Sequence, residues 1–445
     1  MTSKKSDQSS PVTQATKLIT SPFRRVVKIG GLVGKVGASM VGEKTIGVFR
    51  SNVSKEMHKV ENLMRNANRI VKTLGTLKGG AMKVGQMLSL HEGLLPPEIS
   101  QVLSALQNQA PSVSFDQLHD QIKLELKDNY ALIKHIHPES YASASIGQVH
   151  MAELMDGRHV VIKVQYPNID NVIRADLKNL KLLFKSLFSL VTQINLDPVW
   201  EELKERLLEE LDYQKEAYYM QKMATLYQDD PEILIPKVID SLTTPRVLTM
   251  ELLKGISPRV ACSSNYPQEL KDQWGQILFN FILKGLIQFN IIHADPNLAN
   301  FAFLEEGKVI VYDFGCMKSI PDYLVQGYIK LIQTTLNDQE ENIPTILQDM
   351  GIYKVGNTPL PLEMTSPYYH MFKDIYRSSP PFTFGEDQNL YHRLFELAKI
   401  NFYESKDVCF PQDIVFINRT MSGHLGNLRK LKATGPWREM IQNYL

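Results

Sequence analysis

Ile292-His293-Ala294-Asp295-Pro296-Asn297-Leu298-Ala299-Asn300, followed by Val309-Ile310-Val311-Tyr312-Asp313-Phe314-Gly315, decides how this chain folds. The first run sets Asp295 and Asn300 five positions apart on a tight loop. The second places Asp313 after a β-rich run and ahead of Phe-Gly. Phosphoryl transfer asks for a group that takes the attacking atom's proton or positions a water. It also needs oxygen ligands that hold Mg²⁺ against nucleotide phosphates. A His-x-Asp-x4-Asn loop with a downstream Asp-Phe-Gly supplies those parts in the order kinases use. An Asp-Phe-Gly match alone is weak evidence. Its weight comes from the spacing, the apolar strand before it and the partners upstream.

Working outward, Ala142-Ser143-Ala144-Ser145-Ile146-Gly147 takes the place of a nucleotide-covering loop between two strands. It has one glycine, so the signal is poor, although backbone amides can approach phosphates past Ala and Ser. Val160-Val161-Ile162-Lys163-Val164 is a β-branched strand whose lysine lies sixteen residues past Gly147. A lysine there would hold the α- and β-phosphates, and it needs a carboxylate to orient it. Leu207 to Ala217 reads as one helix, with Asp212 and Glu216 four apart on one face. Glu216 is the expected partner of Lys163, and Glu209 reads as a solvated surface acid.

Arg246 to Gly255 reads as a strand entering an interlobe hinge, where backbone groups near Glu251 and Leu252 would face an adenine. Trp274 to Asn290 carries a broad apolar stripe for a buried helix leading into the Asp295 loop. Helices dominate beyond Asp-Phe-Gly, broken by a loop-like region from Thr358 to Pro381. A late helix is expected from Ile414 to Leu431.

The length of 445 residues suits two or three domains, or one bilobal catalytic unit with extensions. Apolar content of 43% and charged content of 22% are those of a folded globular protein. A net charge of +1 argues against nucleic acid as a partner held by bulk electrostatics. Cys262, Cys316 and Cys409 share no Cys-x-x-Cys spacing, which points to neither zinc nor a disulfide scaffold and fits a reducing compartment.

Through residue 42 the basic residues Lys4, Lys5, Lys17, Arg24, Arg25, Lys28 and Lys35 face a single acid, Asp7. Such a Ser-rich leader suits a mitochondrial transit peptide, a disordered tail or a segment lying on anionic lipid. No stretch reaches the roughly 18 uninterrupted apolar residues of a spanning helix. Ser51 to Leu90 has helical periodicity, and glycines at 79, 80 and 85 mark close packing. The residues alone attach no chemistry to Lys83 or Gln86.

Together these features resemble the UbiB family of atypical kinases, also called aarF-domain or ADCK-type kinase-like proteins, from about residue 50 to the C-terminus. Lys83-Val84-Gly85-Gln86 matches its KxGQ motif, Ala142 to Ser145 its Ala-rich loop, and Glu210-Leu211-Asp212 its ExD motif. Lys163, Glu251, Asp295, Asn300 and Asp313 fall on kinase core positions. The resemblance implies an α+β, bilobal protein-kinase-like fold with a helical extension over the cleft. Residues 1–50 would be a basic leader or membrane-surface segment and 51–125 the extension, with a small lobe over 126–250 and a mostly helical large lobe over 251–445.

On that resemblance ATP or ADP would bind with Mg²⁺ or Mn²⁺. Ala142, Ser143, Ala144, Ser145, Lys163, Glu251 and Leu252 would surround the nucleotide. Asn300 and Asp313 would hold the metal, Asp295 would act as base or water-positioner, and Glu216 would orient Lys163. Lys83, Gln86, Glu210 and Asp212 would gate the cleft, with Lys83 contacting Glu210, which counts against phosphorylation of proteins in trans. The implied function is an atypical kinase or ATPase supporting ubiquinone or other isoprenoid-lipid metabolism. Its partners would be isoprenoid or quinone-type lipids, or enzymes that make them, with peripheral membrane contact. The expected location is the cytoplasmic side of a bacterial inner membrane, with the mitochondrial matrix as the alternative. The oligomeric state is left open, a homodimer included.

One departure matters. The family reads His-Pro-Gly where this chain has Asn297-Leu298-Ala299. Ala299 would strain the loop if that position needs a positive φ, and position 297 lacks an imidazole. A pseudokinase-type, nucleotide-dependent scaffold is therefore the second reading.

Overall fold

Helix α1 (Phe115–Leu126) precedes three strands, β1 (Ile133–Ser143), β2 (Gly147–Leu154) and β3 (His159–Gln165). Helices α2 (Asp197–Glu209) and α3 (Tyr213–Leu226) follow, then a two-residue strand β4 (Ile233–Leu234) and β5 (Val247–Glu251). The computed structural model describes residues 113–144, 146–174, 197–377, 381–385 and 407–445, with Leu177 and Lys181 between. The basic leader, the Lys83–Gln86 motif and Ser145 lie outside the described residues.

β1, β2, β3 and β5 form an antiparallel sheet in that order. β3 is buried from Val160 to Gln165, so it reads as a near-continuous apolar run rather than an alternating one. One face is covered by α1, which buries Leu118, Ile122 and Leu126 four residues apart and packs on β3 and β5. Side chains alternate along a strand, so Val161 and Lys163 take the opposite face from Ile162. A single row of partners, Ala142, Val149, Lys163 and Leu248, crosses the whole sheet.

The helix expected over Leu207 to Ala217 is two helices. The chain leaves the helical path after Glu209, and Asp212 restarts it as the N-cap of α3. Its carboxylate accepts from the backbone of Gln214 at 3.0 Å and of Lys215 at 3.3 Å. A capping side chain satisfies donors that a helix start otherwise leaves open. Asp212 therefore does not share a helical face with Glu216.

The second half is helical around three small sheets. α4 (Gln268–Ile287) buries Trp274, Ile277, Leu278, Phe281, Ile282 and Leu286. Asn290, at φ 51°, then turns the chain into β6 (Ile291–His293). β7 (Phe301–Phe303) and β8 (Val309–Val311) pair antiparallel, β4 adds parallel to β8, and β9 (Met317–Ser319) returns to pair with β6. α5 (Asp322–Leu336), α6 (Ile343–Asp349), β10 (Tyr353–Lys354), α7 (Leu362–Arg377), β11 (Val408–Cys409), α8 (Gln412–Leu431) and α9 (Trp437–Gln442) complete the order. This is the α+β arrangement expected, with the late helix in place as α8.

The loop expected from Thr358 to Pro381 is mostly α7. Pro367 sits inside the helix. A proline there removes one donor, while Thr365, Tyr369 and Met371 are buried against the neighbouring helices. Packing outweighs propensity. No helix among the described residues is long and apolar enough to cross a membrane.

Candidate functional site

Lys163, Glu216 and Asp313 come from the middle of β3, the first turn of α3 and the turn after β8. Lys163 Nζ donates to Glu216 Oε1 at 2.7 Å, to Glu216 Oε2 at 3.0 Å and to Asp313 Oδ2 at 2.9 Å. An ammonium has three donors, so these contacts engage its full capacity. Nζ also stands 5.0 Å from the ring centroid of buried Tyr213, within cation–π range.

Gly147 is required at the start of β2 because of this packing. A Cβ there would come within 2.2 Å of the Val164 carbonyl oxygen and 3.1 Å of the Tyr213 hydroxyl. The sheet side of the Ala-rich loop closes through Ala144 N–H on the Gly147 carbonyl at 3.0 Å. Ala142 and Ser143 end β1 opposite Val149 and Gln148.

Burial by itself lowers the proton affinity of Lys163, but the charges of Asp313 and Glu216 outweigh it and hold the pKa well above the ordinary lysine value. Glu216 is 3% exposed. Burial first, and then the charge of Asp313, push its pKa up to about 7 against the pull of Lys163. Glu210 is close enough to add to that rise. Glu209, expected to be a solvated acid, is half-buried and pairs with Lys215 at 2.6 Å.

The catalytic-type loop spans β6 and β7. His293 Nε2 donates to the Asp313 carbonyl at 2.7 Å, which ties this loop to the Asp-Phe-Gly turn. Asp313 Oδ1 accepts from Gly315 N–H at 2.9 Å. Asp295 Oδ1 accepts from Asn297 N–H at 3.2 Å, and Asn300 Nδ2 donates to the Asp295 carbonyl at 3.3 Å. Asp295 Oδ2 and Asn300 Oδ1 take no hydrogen bond among the described residues.

The strain expected at Ala299 does not arise. Ala299 is not among the residues with positive φ; it lies in a 3₁₀ turn, Leu298–Asn300, that the Asn297 side chain closes by accepting from Ala299 N–H at 3.1 Å. Such a side-chain-closed turn accommodates alanine without glycine's left-handed freedom.

Three residues that the sequence did not single out lie on α8. His424 Nε2 donates to the His293 carbonyl at 2.8 Å, and Asn427 Nδ2 donates to the Pro296 carbonyl at 2.9 Å. A Cβ on Gly423 would come within 2.4 Å of Pro296 Cγ. Burial and the neighbouring His293 push the His424 pKa down to about 4, so its imidazole is neutral at physiological pH. The signal in the sequence was slight, a Gly, a His and an Asn inside an otherwise ordinary late helix.

At the hinge, Glu251 N–H donates to the Lys237 carbonyl at 2.8 Å and Leu252 N–H to the His159 carbonyl at 3.3 Å. Both residues expected to face a base thus have their amide donors committed. Lys83 and Gln86 lie outside the described residues, so their expected meeting with Glu210 has no geometry here.

The donor set suits a hard cation that keeps part of its shell for phosphate and water. Asn300 Oδ1 and the Asp313 carboxylate are oxygen ligands of the type Mg²⁺ takes, and Mg²⁺ sites use one or two carboxylates beside phosphate. Among the described residues no group of three or more His, Cys, Asp or Glu gathers into an all-protein cage.

The ABC1 atypical kinase-like domain matches residues 105–347. The chain is 29% identical over 427 residues to the mitochondrial atypical kinase coq-8 of Caenorhabditis elegans, covering 93% of this chain and 56% of that protein. It is 31% identical over 338 residues to the mitochondrial atypical kinase COQ8B of Rattus norvegicus, covering 75% of this chain and 64% of that one. It therefore spans between just over half and just under two thirds of the length of these two relatives. The solved complex of Rv3197 with erythromycin from Mycobacterium tuberculosis is 25% identical, with a TM-score of 0.63 over 88% of this chain and 98% of that one. With a family domain that matches more than half of its residues, this chain belongs to the ABC1 atypical kinase-like family.

Proposed function

We propose that the cleft binds ATP or ADP with Mg²⁺ or Mn²⁺ and acts as an atypical kinase or ATPase that supports ubiquinone or other isoprenoid-lipid metabolism at a membrane surface. The observation that carries this reading is the meeting of Lys163, Glu216 and Asp313, three residues from distant parts of the chain, on one ammonium. In this role Lys163 holds the α- and β-phosphates and Glu216 orients it. Asn300 and Asp313 would hold the metal, which would supply charge neutralisation at the transferring phosphoryl group. Asp295, with Oδ2 open and its loop tied by His293, takes the proton of the attacking hydroxyl or positions a water.

The lipid side of the proposal draws on the family and on relatives named as mitochondrial atypical kinases. Those names favour the mitochondrial alternative over a bacterial inner membrane. The basic leader, with Arg24, Arg25, Lys28 and Lys35, is the segment proposed to meet anionic lipid.

Phosphate release from ATP by the purified chain, with and without liposomes, tests the reading. Metal-dependent turnover that Asp295→Asn lowers by about a hundredfold or more is expected. Equal turnover in wild type and Asp295→Asn would contradict it. Asn297, in place of an imidazole, favours the second reading, a nucleotide-dependent scaffold. Tight nucleotide binding with no turnover on any liposome would select that one.

A further inference from the structure

α5, the turn after it and α6 enclose a polar cavity of about 380 Å³ on the helical lobe, a volume in the range of small-ligand sites. None of the residues assigned to the nucleotide site lines it. α5 offers Lys330, Gln333 and Thr334, with Asn337 one turn further on, a spacing of three and four that keeps them on one face. Across the cavity stand Gln339, Asn342 and Thr345, and Ile346 adds an aliphatic patch. The backbone knits the turn between the helices. Gln339 N–H donates to the Thr334 carbonyl at 3.0 Å and Asn342 N–H to the Gln339 carbonyl at 3.1 Å, which leaves the side chains free of that task.

Thr334 and Thr335 are each 6% exposed, yet they spend their hydroxyls differently. Thr335 Oγ1 donates to the Leu331 carbonyl at 2.8 Å, the usual recourse of a helical threonine. Thr334 Oγ1 takes no hydrogen bond among the described residues. It is not among the unpartnered atoms sealed from solvent either, so it opens into the cavity it lines. The carboxamides of Gln333, Asn337, Gln339 and Asn342 and the hydroxyl of Thr345 are likewise uncommitted among the described residues. Side chains as buried as Thr334 normally find a partner, so its free hydroxyl marks a ligand position.

The charge of the cavity has one sign. Asp338 and Glu340 share its turn but serve α7. Asp338 accepts from the Tyr369 hydroxyl at 2.9 Å and pairs with Lys373 at 2.7 Å, and Glu340 lies 3.9 Å from His370. Among the described residues no carboxylate lines the cavity, whereas Lys330 does, exposed and without an ion pair.

We infer that this cavity binds a phosphorylated polyol, of the sugar-phosphate or cyclitol-phosphate class. Carboxamides and hydroxyls both donate and accept, which matches the neighbouring hydroxyls of a polyol. The Lys330 ammonium supplies a point charge for the phosphate, and Ile346 an apolar contact for the C–H face of the ring. The inference stands apart from the nucleotide reading, because the two sites share no residue.

Titration calorimetry on the full chain with myo-inositol 1-phosphate and with inorganic phosphate tests it. The ester is expected to bind about tenfold or more tightly than phosphate, since several hydrogen bonds to its hydroxyls add together. Lys330→Met should weaken the ester about tenfold or more, the factor of a charge-assisted hydrogen bond. Thr334→Val and Asn342→Ala should each weaken it about threefold or more. Lys330 and Asn342 are exposed, so their variants should keep the wild-type melting temperature. Liposomes with phosphatidylinositol, beside liposomes with an equal share of phosphatidylserine, separate a lipid headgroup from a free ester at matched charge. A preference for phosphatidylinositol that Lys330→Met abolishes would put the ligand on a lipid, and binding of the free ester alone would make it soluble. No binding in either form, equal affinity for ester and phosphate, or binding that Lys330→Met and Asn342→Ala leave unchanged would overturn the inference.

Discussion

Glu216 and Asp313 draw on the same ammonium: Lys163 Nζ lies 2.7 Å from Glu216 Oε1 and 2.9 Å from Asp313 Oδ2. One acid rides on α3 of the sheet lobe, the other on the turn after β8. The lysine thus joins the two halves of the cleft through a buried contact with Glu216 and a partly exposed one with Asp313. Removing one partner of a buried pair leaves the remaining charge poorly compensated. Glu216→Ala is expected to lower stability by about 3 kcal/mol, read as a shift in the urea midpoint at unchanged slope. An unchanged midpoint would mean that Asp313 alone satisfies Lys163.

His424 and Glu216 give the stability two opposed pH dependences. His424 has its pKa pushed down to about 4, so the fold refuses a proton that the unfolded chain accepts below its ordinary 6.5. Its contribution is complete above pH 6.5 and is lost as pH falls through 4. Glu216, pushed up to about 7 from an ordinary 4.5, contributes fully below pH 4.5, and that contribution is lost as pH rises through 7. Melting temperatures between pH 4 and 8 should show His424→Asn flattening the acid limb and Glu216→Gln flattening the decline towards neutrality. Parallel curves for wild type and both variants would refute these environments.

Gly423→Ala tests the support that α8 gives the Asp295 loop. In an open helix this change stabilises by up to about 1 kcal/mol. Here the added Cβ would stand 2.4 Å from Pro296 Cγ, next to Asp295, so the loop must move. Displacement of a reacting group by about 1 Å costs on the order of a hundredfold in rate. Turnover should fall by roughly that factor with ATP affinity held within about threefold. Wild-type turnover in Gly423→Ala would show that α8 leaves the loop's position alone.

Asn297→Ala probes the altered loop from the other direction. Asn297 closes the turn by accepting from Ala299 N–H, and losing such a cap costs about 1 kcal/mol. Ala299→Gly should bring no gain, since Ala299 needs no left-handed φ. A higher turnover or a higher melting temperature in Ala299→Gly would mean that the loop is strained after all.

What the sequence displayed, and what it hid, follows from range. Lys163 stood out because it is a lysine in a β-branched strand, sixteen residues past Gly147 and flanked by the other motifs in kinase order. Glu216 was legible because a helix-borne acid was wanted at that distance. Asp212 was misread as its helical neighbour because capping by a side chain looks, in a one-dimensional string, like another polar helix position. α7 carries Pro367 inside it, a local cost offset by burial that no window of sequence displays. His424 and Asn427 were invisible for a similar reason, since each lies 131 residues from the backbone it supports. Tyr312 was quoted in the opening stretch, yet its bond to Leu253 crosses 59 residues and follows from no pattern.

The central claim is a working metal–nucleotide site built on Asp313. Thermal unfolding of the full chain with ATP, with and without Mg²⁺, beside Asp313→Asn under the same conditions, tests it most directly. A ligand at about a hundred times its Kd adds roughly 2.7 kcal/mol to a fold that alone binds it. A metal-dependent rise in melting temperature for wild type, lost in Asp313→Asn, is the predicted result. No rise with saturating ATP and Mg²⁺, or an equal rise in Asp313→Asn, would contradict the account.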